Sequence, residues 1–400
     1  MIINKPYLFI EINDKNFIFL IARYNENLEF EILDSIVTKS EGIKNGKVID
    51  VETSSKILKK NLNIIEDKIK FIFKNVIVIN SQENFECINV SGFKKLNGSQ
   101  VLNEDIFYLL NNLKKVILEN NNQKTLIHLF NSNFILDKTV LSNLPIGLFG
   151  EFYNHHLTFF LLPKSEVKNI KLILSNCGLN IERIILKSFA EGVEIIKKKE
   201  TQDILITINI NKVKSNISIF DKLSFIYSEN FNFGTDMILK DISKLCSLDI
   251  DTVKKIFADN RFDNYHEKNA DEHLNKKYFK DSTFRKISME HLKNIIIARA
   301  NELIEIIYKK NINLKHLNKS KQNIYVTFQD ATIYESIKNT IRDIFDKNNK
   351  TVIRKVTQDE QLKSCLTSVE LIAKGWEKEA IPIIQSKKST ISRIFSFLFK

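Results

Sequence analysis

Residues 7–36, YLFIEINDKNFIFLIARYNENLEFEILDSI, decide the fold class. Residues 7–12, 17–22 and 28–36 are runs of apolar, β-branched and aromatic side chains, separated by the polar turns Asn13-Asp14-Lys15-Asn16 and Asn25-Glu26-Asn27. The pattern predicts three short strands joined by tight connections. It returns in the second half of the chain at residues 204–210, 217–220 and 223–228. Each triplet leads to an amphipathic helix: residues 53–70 place Ile57, Leu58, Leu62, Ile65 and Ile69 on one face, and residues 235–245 follow the second triplet. Each half then closes with strand and helix in alternation. In the first half these are 157–162, 166–176, 181–186 and 188–199; in the second, 324–327, 334–347, 352–356 and 362–374. The chain therefore reads as a duplicated α/β body, with a polar stretch at 259–285 expected to be an exposed loop or insertion.

Composition agrees with that reading. Four hundred residues, 43% hydrophobic and 27% charged, suffice for two or more domains with cores of their own. The net charge of +12 suits an anionic partner such as phospholipid, nucleic acid or an acidic protein tail, although the basic residues are spread along the chain. The 29 Phe against 10 Tyr and 1 Trp read as core filling rather than base-stacking platforms, so no nucleic-acid partner is expected. Cys87, Cys177, Cys246 and Cys365 are isolated, without a CxxC pair, which indicates neither a disulfide framework nor a zinc site. His155-His156, and His266 with His273, match no metal spacing, and no nucleophile-elbow string is present, so neither a metal site nor a catalytic triad is expected. The start MIINKPYLF lacks the features of a signal peptide, and no apolar run reaches bilayer length, so a cytoplasmic chain is expected.

The end of the sequence, TISRIFSFLFK at residues 390–400, carries an apolar stripe on an otherwise polar, basic segment. Ile391, Ile394, Phe395 and Leu398 fall at i, i+3, i+4 and i+7; Phe399 extends the stripe, Phe397 lies at its margin, and Ser392, Arg393, Ser396 and Lys400 leave the other side polar. A helix of that composition lies in a membrane interface; at about 1.5 Å per residue it is too short to cross. The competing reading docks the same stripe on the protein's own core. Residues 385–389 read as a polar linker, which favours the membrane. Fully burying five large apolar side chains contributes at most about 8–15 kcal/mol before ordering is subtracted, so one copy should bind reversibly and an assembly of copies far more firmly.

Several strings follow the order of one family. Gly42-Ile43-Lys44-Asn45-Gly46-Lys47-Val48-Ile49-Asp50 resembles the glycine-isoleucine-basic-x-glycine-x-valine-x-aspartate string of FtsA, the actin-like membrane tether of the bacterial division ring. Asn89-Val90-Ser91-Gly92, Ile127-His128, Phe134-Ile135-Leu136-Asp137 and Pro145-Ile146-Gly147-Leu148-Phe149-Gly150 continue it. FNFGTDMILKDIS at 231–243 looks like the family's leucine-proline-x-glycine-glycine segment with Gly234 and Asp241 kept, and residues 287–307 look like its long helix with Arg299 and Glu302 kept. The resemblance implies an α/β, actin-like (ribonuclease H-like, duplicated) two-domain fold with an FtsA-type inserted subdomain and a C-terminal amphipathic helix. Its expected parts are 1–80 plus 164–202 as first core, 81–163 as insertion, 203–234 plus 321–384 as second core, 235–320 as outer subdomain, and 385–400 as linker and membrane helix. It also implies a place on the cytoplasmic face of the inner membrane at the division site, self-association into filaments or clusters, and recruitment of later division proteins. A groove for the C-terminal tail of the tubulin-like protein FtsZ is implied as well. There Arg299 would meet a tail carboxylate, worth roughly 1.5–3 kcal/mol; the other reading pairs Arg299 with a neighbouring Glu.

The family binds ATP with Mg²⁺, and the loops that do so are altered here. An actin-like site needs glycines where backbone amides close on phosphates and carboxylates to hold the metal's waters. The first phosphate loop reads Glu11-Ile12-Asn13-Asp14-Lys15-Asn16, with its carboxylate one methylene longer and its glycine gone. The second reads Asn209-Ile210-Asn211-Lys212-Val213-Lys214-Ser215-Asn216, without either aspartate, and the adenosine segment reads Thr327-Phe328-Gln329-Asp330, where Phe328 would crowd the base. Candidate nucleotide contacts are Glu11, Asn209, Lys212, Lys214, Gly234, and the pair Asp251 and Lys254 near the ribose. Weak or absent ATP hydrolysis is expected, since losing a metal carboxylate removes the clamp that phosphoryl transfer needs. Two alternatives are an ATPase with rebuilt loops and a relative of the actin-like pilus-assembly proteins that binds a membrane protein's tail.

Overall fold

The computed structural model describes residues 5–25, 30–81, 84–199, 203–259, 272–279, 284–315, 322–345, 349–355 and 362–382. The first meander forms β1 (Pro6–Ile12), β2 (Asn16–Tyr24) and β3 (Phe30–Lys39), paired antiparallel in sequence order. Residues of β2 are buried on both faces along nearly its whole length, which explains the unbroken apolar run FIFLIA. A hairpin of β4 (Ile43–Lys44) and β5 (Lys47–Val48) precedes α1 (Val51–Ile69). Asp50 caps that helix by accepting the N–H of Thr53 at 3.0 Å, and Lys70 ends it in the left-handed region. The helix crosses over to β6 (Asn75–Asn80), which adds parallel to β1.

The chain then leaves this sheet. β7 (Glu86–Lys95), α2 (Asn103–Asn120), β8 (Lys124–Leu136), β9 (Thr139–Leu141) and β10 (Phe152–Pro163) build a separate sheet with α2 packed on it and a core of its own, including Leu109, Leu129, Tyr153 and Phe159. α3 (Lys164–Ser175), β11 (Asn180–Leu186) and α4 (Lys187–Lys199) return to the first sheet, whose order is β11-β6-β1-β2-β3.

The second half repeats this plan. β12 (Ile204–Ile210), β13 (Ser215–Asp221) and β14 (Ser224–Phe231) are followed by α5 (Asp236–Cys246), α6 (Ile250–Asp259) and α7 (Met289–Ile304), the last continuing into a π turn at Glu305–Lys309. β15 (Gln322–Phe328), α8 (Ala331–Ile344) and β16 (Lys350–Lys355) complete a sheet of order β14-β13-β12-β15-β16, with β12, β15 and β16 parallel. The two sheets share one strand order, a meander of three with two parallel strands added beside the first. The fold is therefore the actin-like duplicated α/β fold.

α9 (Lys363–Lys374) and β17 (Glu379–Pro382) end the described chain. Described residues 5–199, 220–227 and 362–382 form one compact unit and 203–219 with 228–355 the other. Residues 321–384 are thus divided: α9 and β17 belong with the first unit, not with the second core as expected. The reason is packing, since α9 lies on α4 and on β1. β17 pairs antiparallel with β8 and joins the inserted sheet, whose order is β17-β8-β10-β7. Residues 383–400, and with them Ile391, Arg393, Ile394, Phe395, Phe397, Leu398, Phe399 and Lys400, lie outside the described residues, as does His266.

Candidate functional site

The first phosphate loop is the β1–β2 turn. Glu11, at the end of β1, has no solvent exposure. Its Oε1 receives Lys187 Nζ at 2.6 Å and Asn13 Nδ2 at 2.9 Å, and its Oε2 receives Ser364 Oγ at 2.7 Å. Lys187 is the first residue of α4 and Ser364 lies in the first turn of α9. A cation at a helix N-terminus faces the positive end of the dipole, so its presence there needs a compensating anion. Burial alone would push the Lys187 ammonium down, but the charges of Glu11 and Glu191 and the Glu11 hydrogen bond outweigh it and hold it above the ordinary lysine value. Burial, and then the Glu11 charge, push the neighbouring Cys365 thiol well up, so it stays protonated and unreactive.

The other acidic group of the loop is also engaged. Asp14 accepts the N–H of Asn45 on Oδ2 at 2.8 Å and the N–H of Gly46 on Oδ1, so it closes the β4–β5 turn. That turn is the centre of the GIKNGKVID string. Asn45 and Gly46 both have positive φ there, and at Gly42 a Cβ would stand 2.5 Å from the Asp50 carbonyl.

The second loop lies between β12 and β13. The N–H of Asn211 donates to the Lys214 carbonyl at 2.9 Å, forming a tight turn. The carbonyls of Asn211 and Lys212 accept the N–H groups of Thr235 and Asp236, at 3.0 and 2.8 Å, at the start of α5. In this loop, backbone oxygens answer the helix amides that an anion could otherwise take. Gly234 is required by that approach, since a Cβ would stand 2.1 Å from the Asn211 oxygen. Lys212 is exposed and sits 3.5 Å from Asp330, which also caps α8; Lys214 is half-buried. Asn209 accepts a hydrogen bond from Thr327 across β12 and β15. Phe328 points into the core and packs near Tyr334, so the crowding expected of it does not arise. Asp251 and Lys254 form an exposed pair one turn apart on α6, 2.8 Å from each other.

These residues do not fit a magnesium-bound triphosphate. Both oxygens of Glu11 and both of Asp14 hold protein donors, and the second loop turns carbonyls toward its helix. Lys187, Ser364 and Asp330 were not singled out from the sequence; a lysine opening a helix was the one available sign. Among the described residues no group of three His, Cys, Asp or Glu is placed to hold a metal. His155 is a core histidine, Nε2 2.8 Å from Asn131 Oδ1, and burial drives its pKa down to about 3.

On the outer helices of the second unit, Arg299 of α7 binds Asp241 of α5 through Nε and Glu302 through Nη1. The neighbouring-Glu reading of Arg299 is thus realised within the unit, with a second carboxylate added. Arg299 keeps about a quarter of its side chain exposed. Elsewhere, Ile297 and Asn301 of α7 line an open groove of about 420 Å³ with Glu305 and Lys309 of the π turn and Thr340 and Asp343 of α8. The π turn forms part of this wall, a local irregularity often found at functional surfaces.

No protein-family profile matches the chain. Among solved structures, the PilM–PilN type IV pilus biogenesis complex superimposes with a TM-score of 0.55 at 10% identity, covering 90% of this chain and 96% of that one. MreB 5 of Spiroplasma citri bound to AMPPNP gives 0.48 at 11%, covering 98% and 99%. The strand order of the two sheets and the likeness to the PilM–PilN structure define the class: an actin-like fold. Within that class the chain is FtsA-like. It is 21% identical over 313 residues to the cell division protein FtsA of Bacillus subtilis (strain 168), covering 76% of this chain and 69% of the relative. The FtsA of Enterococcus hirae is 20% identical over 302 residues, covering 74% and 67%, and that of Rhizobium meliloti (strain 1021) 19% over 223, covering 54% and 49%. The matched stretches thus span from about half to about two thirds of these relatives' own lengths.

Proposed function

We propose that this protein is a cell-division scaffold of the FtsA kind, which holds a tubulin-like FtsZ filament at the cytoplasmic membrane, recruits later division proteins and works by binding, with little or no ATP hydrolysis. The observation that carries the non-catalytic part is Glu11: a carboxylate without solvent exposure, already held by Lys187, Ser364 and Asn13. With both oxygens engaged by protein donors and no solvent exposure, the carboxylate is not presented to the waters of a metal. The FtsA likeness supports the division role, and the basic apolar stripe at Ile391 to Lys400 supports the membrane attachment. Among the described residues no helix is long and apolar enough to cross a membrane. The Asp241–Arg299–Glu302 cluster is the candidate contact for an acidic partner tail, by exchange of one carboxylate for another. Copies that cluster would attach more firmly through many tails at once.

The test is co-sedimentation with anionic phospholipid vesicles of the full chain against one ending at Ser386. The full chain is expected in the pellet and the shortened chain in the supernatant; equal recovery removes the tether. A second reading, a pilus-assembly-type protein that binds a membrane protein's tail, draws on the likeness to the PilM–PilN complex. Peptides from the two kinds of partner, titrated against the Arg299 region, separate the readings.

A further inference from the structure

Glu379 of β17 is buried, and two other strands of the first unit hold it. Arg183 on β11 places Nη2 2.6 and 2.5 Å from its two carboxylate oxygens, and His128 on β8 places Nδ1 2.7 Å from Oε1. His128 Nε2 accepts the N–H of Leu186 at 3.1 Å, which puts the ring proton on Nδ1 and makes it a donor to Glu379. Burial pushes the His128 pKa below its ordinary value and so keeps the ring neutral. Burial pushes the Glu379 carboxyl up, but the Arg183 charge and the His128 hydrogen bond outweigh it and bring its pKa down to about 2. One carboxylate, one guanidinium and a neutral imidazole thus meet in the interior, with Arg183 Nη2 taken up by Glu379 and its Nε and Nη1 left without a hydrogen-bond partner among the described residues, so that removing the carboxylate would strand the whole buried cation.

The residues around Glu379 are held as well. Gly375, at φ 72°, ends α9 and turns the chain. Trp376 Nε1 donates to the Leu223 carbonyl at 2.7 Å, Lys378 Nζ to the Ser142 carbonyl at 2.6 Å, and the N–H of Asn131 to the Lys378 carbonyl at 2.8 Å. Ala380 enters the core of the inserted sheet beside Leu129 and Phe159. β17 itself is four residues long with an irregular register, a weak edge strand without such a lock. Its partner β8 is well anchored: Phe130 packs edge-to-face on Phe160, which stacks on Phe225 at 4.2 Å.

We infer that residues 375–382 are a clasp, locked by the Arg183–His128 carboxylate receptor, that passes any pull on the residues beyond 382 into the inserted β8–β10 sheet instead of into α9. The load claim rests on the reading of residues 391–400 as a membrane anchor; the lock does not. Trp376 is the single tryptophan of the chain and sits at the clasp, so its fluorescence reports on it. In the full chain, Glu379→Gln is expected to shift Trp376 emission to the red and raise its acrylamide quenching severalfold, with far-UV circular dichroism unchanged. Glu379→Asp, which keeps the charge but shortens the reach, should give a smaller change of the same sign. Unchanged Trp376 emission in both variants overturns the clasp, as does collapse of the circular dichroism in both, which would make the pair a keystone of the whole unit. On anionic phosphatidylglycerol vesicles, wild type and Glu379→Gln are expected to pellet alike, the bound variant keeping its loosened Trp376. A wild type that stays in solution overturns the load claim alone, and the fluorescence still judges the lock.

Discussion

Replacing Lys187 by Met removes the ammonium 2.6 Å from Glu11 and leaves a carboxylate with no exposure and two neutral donors, Ser364 and Asn13. Breaking a fully buried ion pair from one side costs about 3–5 kcal/mol. Lys187 keeps 26% of its side chain exposed, so water offsets part of the loss and about 2–3 kcal/mol is expected. For a body of this size that lowers the thermal midpoint by roughly 4–12 °C. The assay is urea and thermal unfolding of wild type, Lys187→Met, Glu11→Gln and the double variant, followed by circular dichroism. Because the two side chains touch, a coupling energy of about 1–3 kcal/mol is expected, with the double variant more stable than Lys187→Met alone. The same proteins are heated with MgATP. A ligand present at a hundredfold excess over its Kd would add about 2.7 kcal/mol, and no such gain is expected for the wild type. Single effects that simply add, or a magnesium-dependent nucleotide stabilisation of the wild type, would refute the reasoning.

Glu379 has a folded pKa of about 2 against an ordinary value near 4.5, so the folded chain binds fewer protons at this group. Its contribution, about 3 kcal/mol, is therefore complete above pH ~4.5 and lost as the pH falls toward ~2; acid titrations of urea midpoints should show this slope in wild type and lose it in Glu379→Gln. Gly234→Ala drives a methyl against two backbone carbonyls that cannot step aside, and should cost about 1–3 kcal/mol in urea unfolding. Arg299→Ala breaks partly exposed pairs, so stability should change by less than about 1 kcal/mol, while anisotropy titrations with an acidic FtsZ-tail peptide should show binding lost. Retained peptide affinity removes Arg299 from the partner site.

The meanders were legible because their strands are short apolar runs bounded by polar turns, and the repeat of that pattern at residues 204–228 foretold a second sheet with the order of the first. Boundaries slipped by a few residues where polar positions continue a ladder, as at β14, which runs on through Ser228 to Phe231. The place of α9 and β17 was not legible, because periodicity gives an element's face but not which sheet that face will cover. For the same reason the sequence pointed to the missing glycine of the first loop but not to what replaced it. Lys187 and Ser364 lie far along the chain from Glu11, and their meeting is a product of topology. Phe328 illustrates the converse: aligned to a ligand-facing position it reads as an obstacle, whereas strand alternation turns it into the core of β15.

The discontinuity of the first unit has a consequence for synthesis. Ser364, 353 positions after Glu11, leaves the ribosome long after the strand it completes, and Glu379 later still. The second unit's strands and helices are all available by then, so it can mature on the nascent chain while the first waits with a half-satisfied interior. A message cut short between the end of the second unit and α9 would therefore yield a polypeptide with one finished half and one exposing unpaired charge and bare apolar surface, a ready substrate for chaperones and proteases.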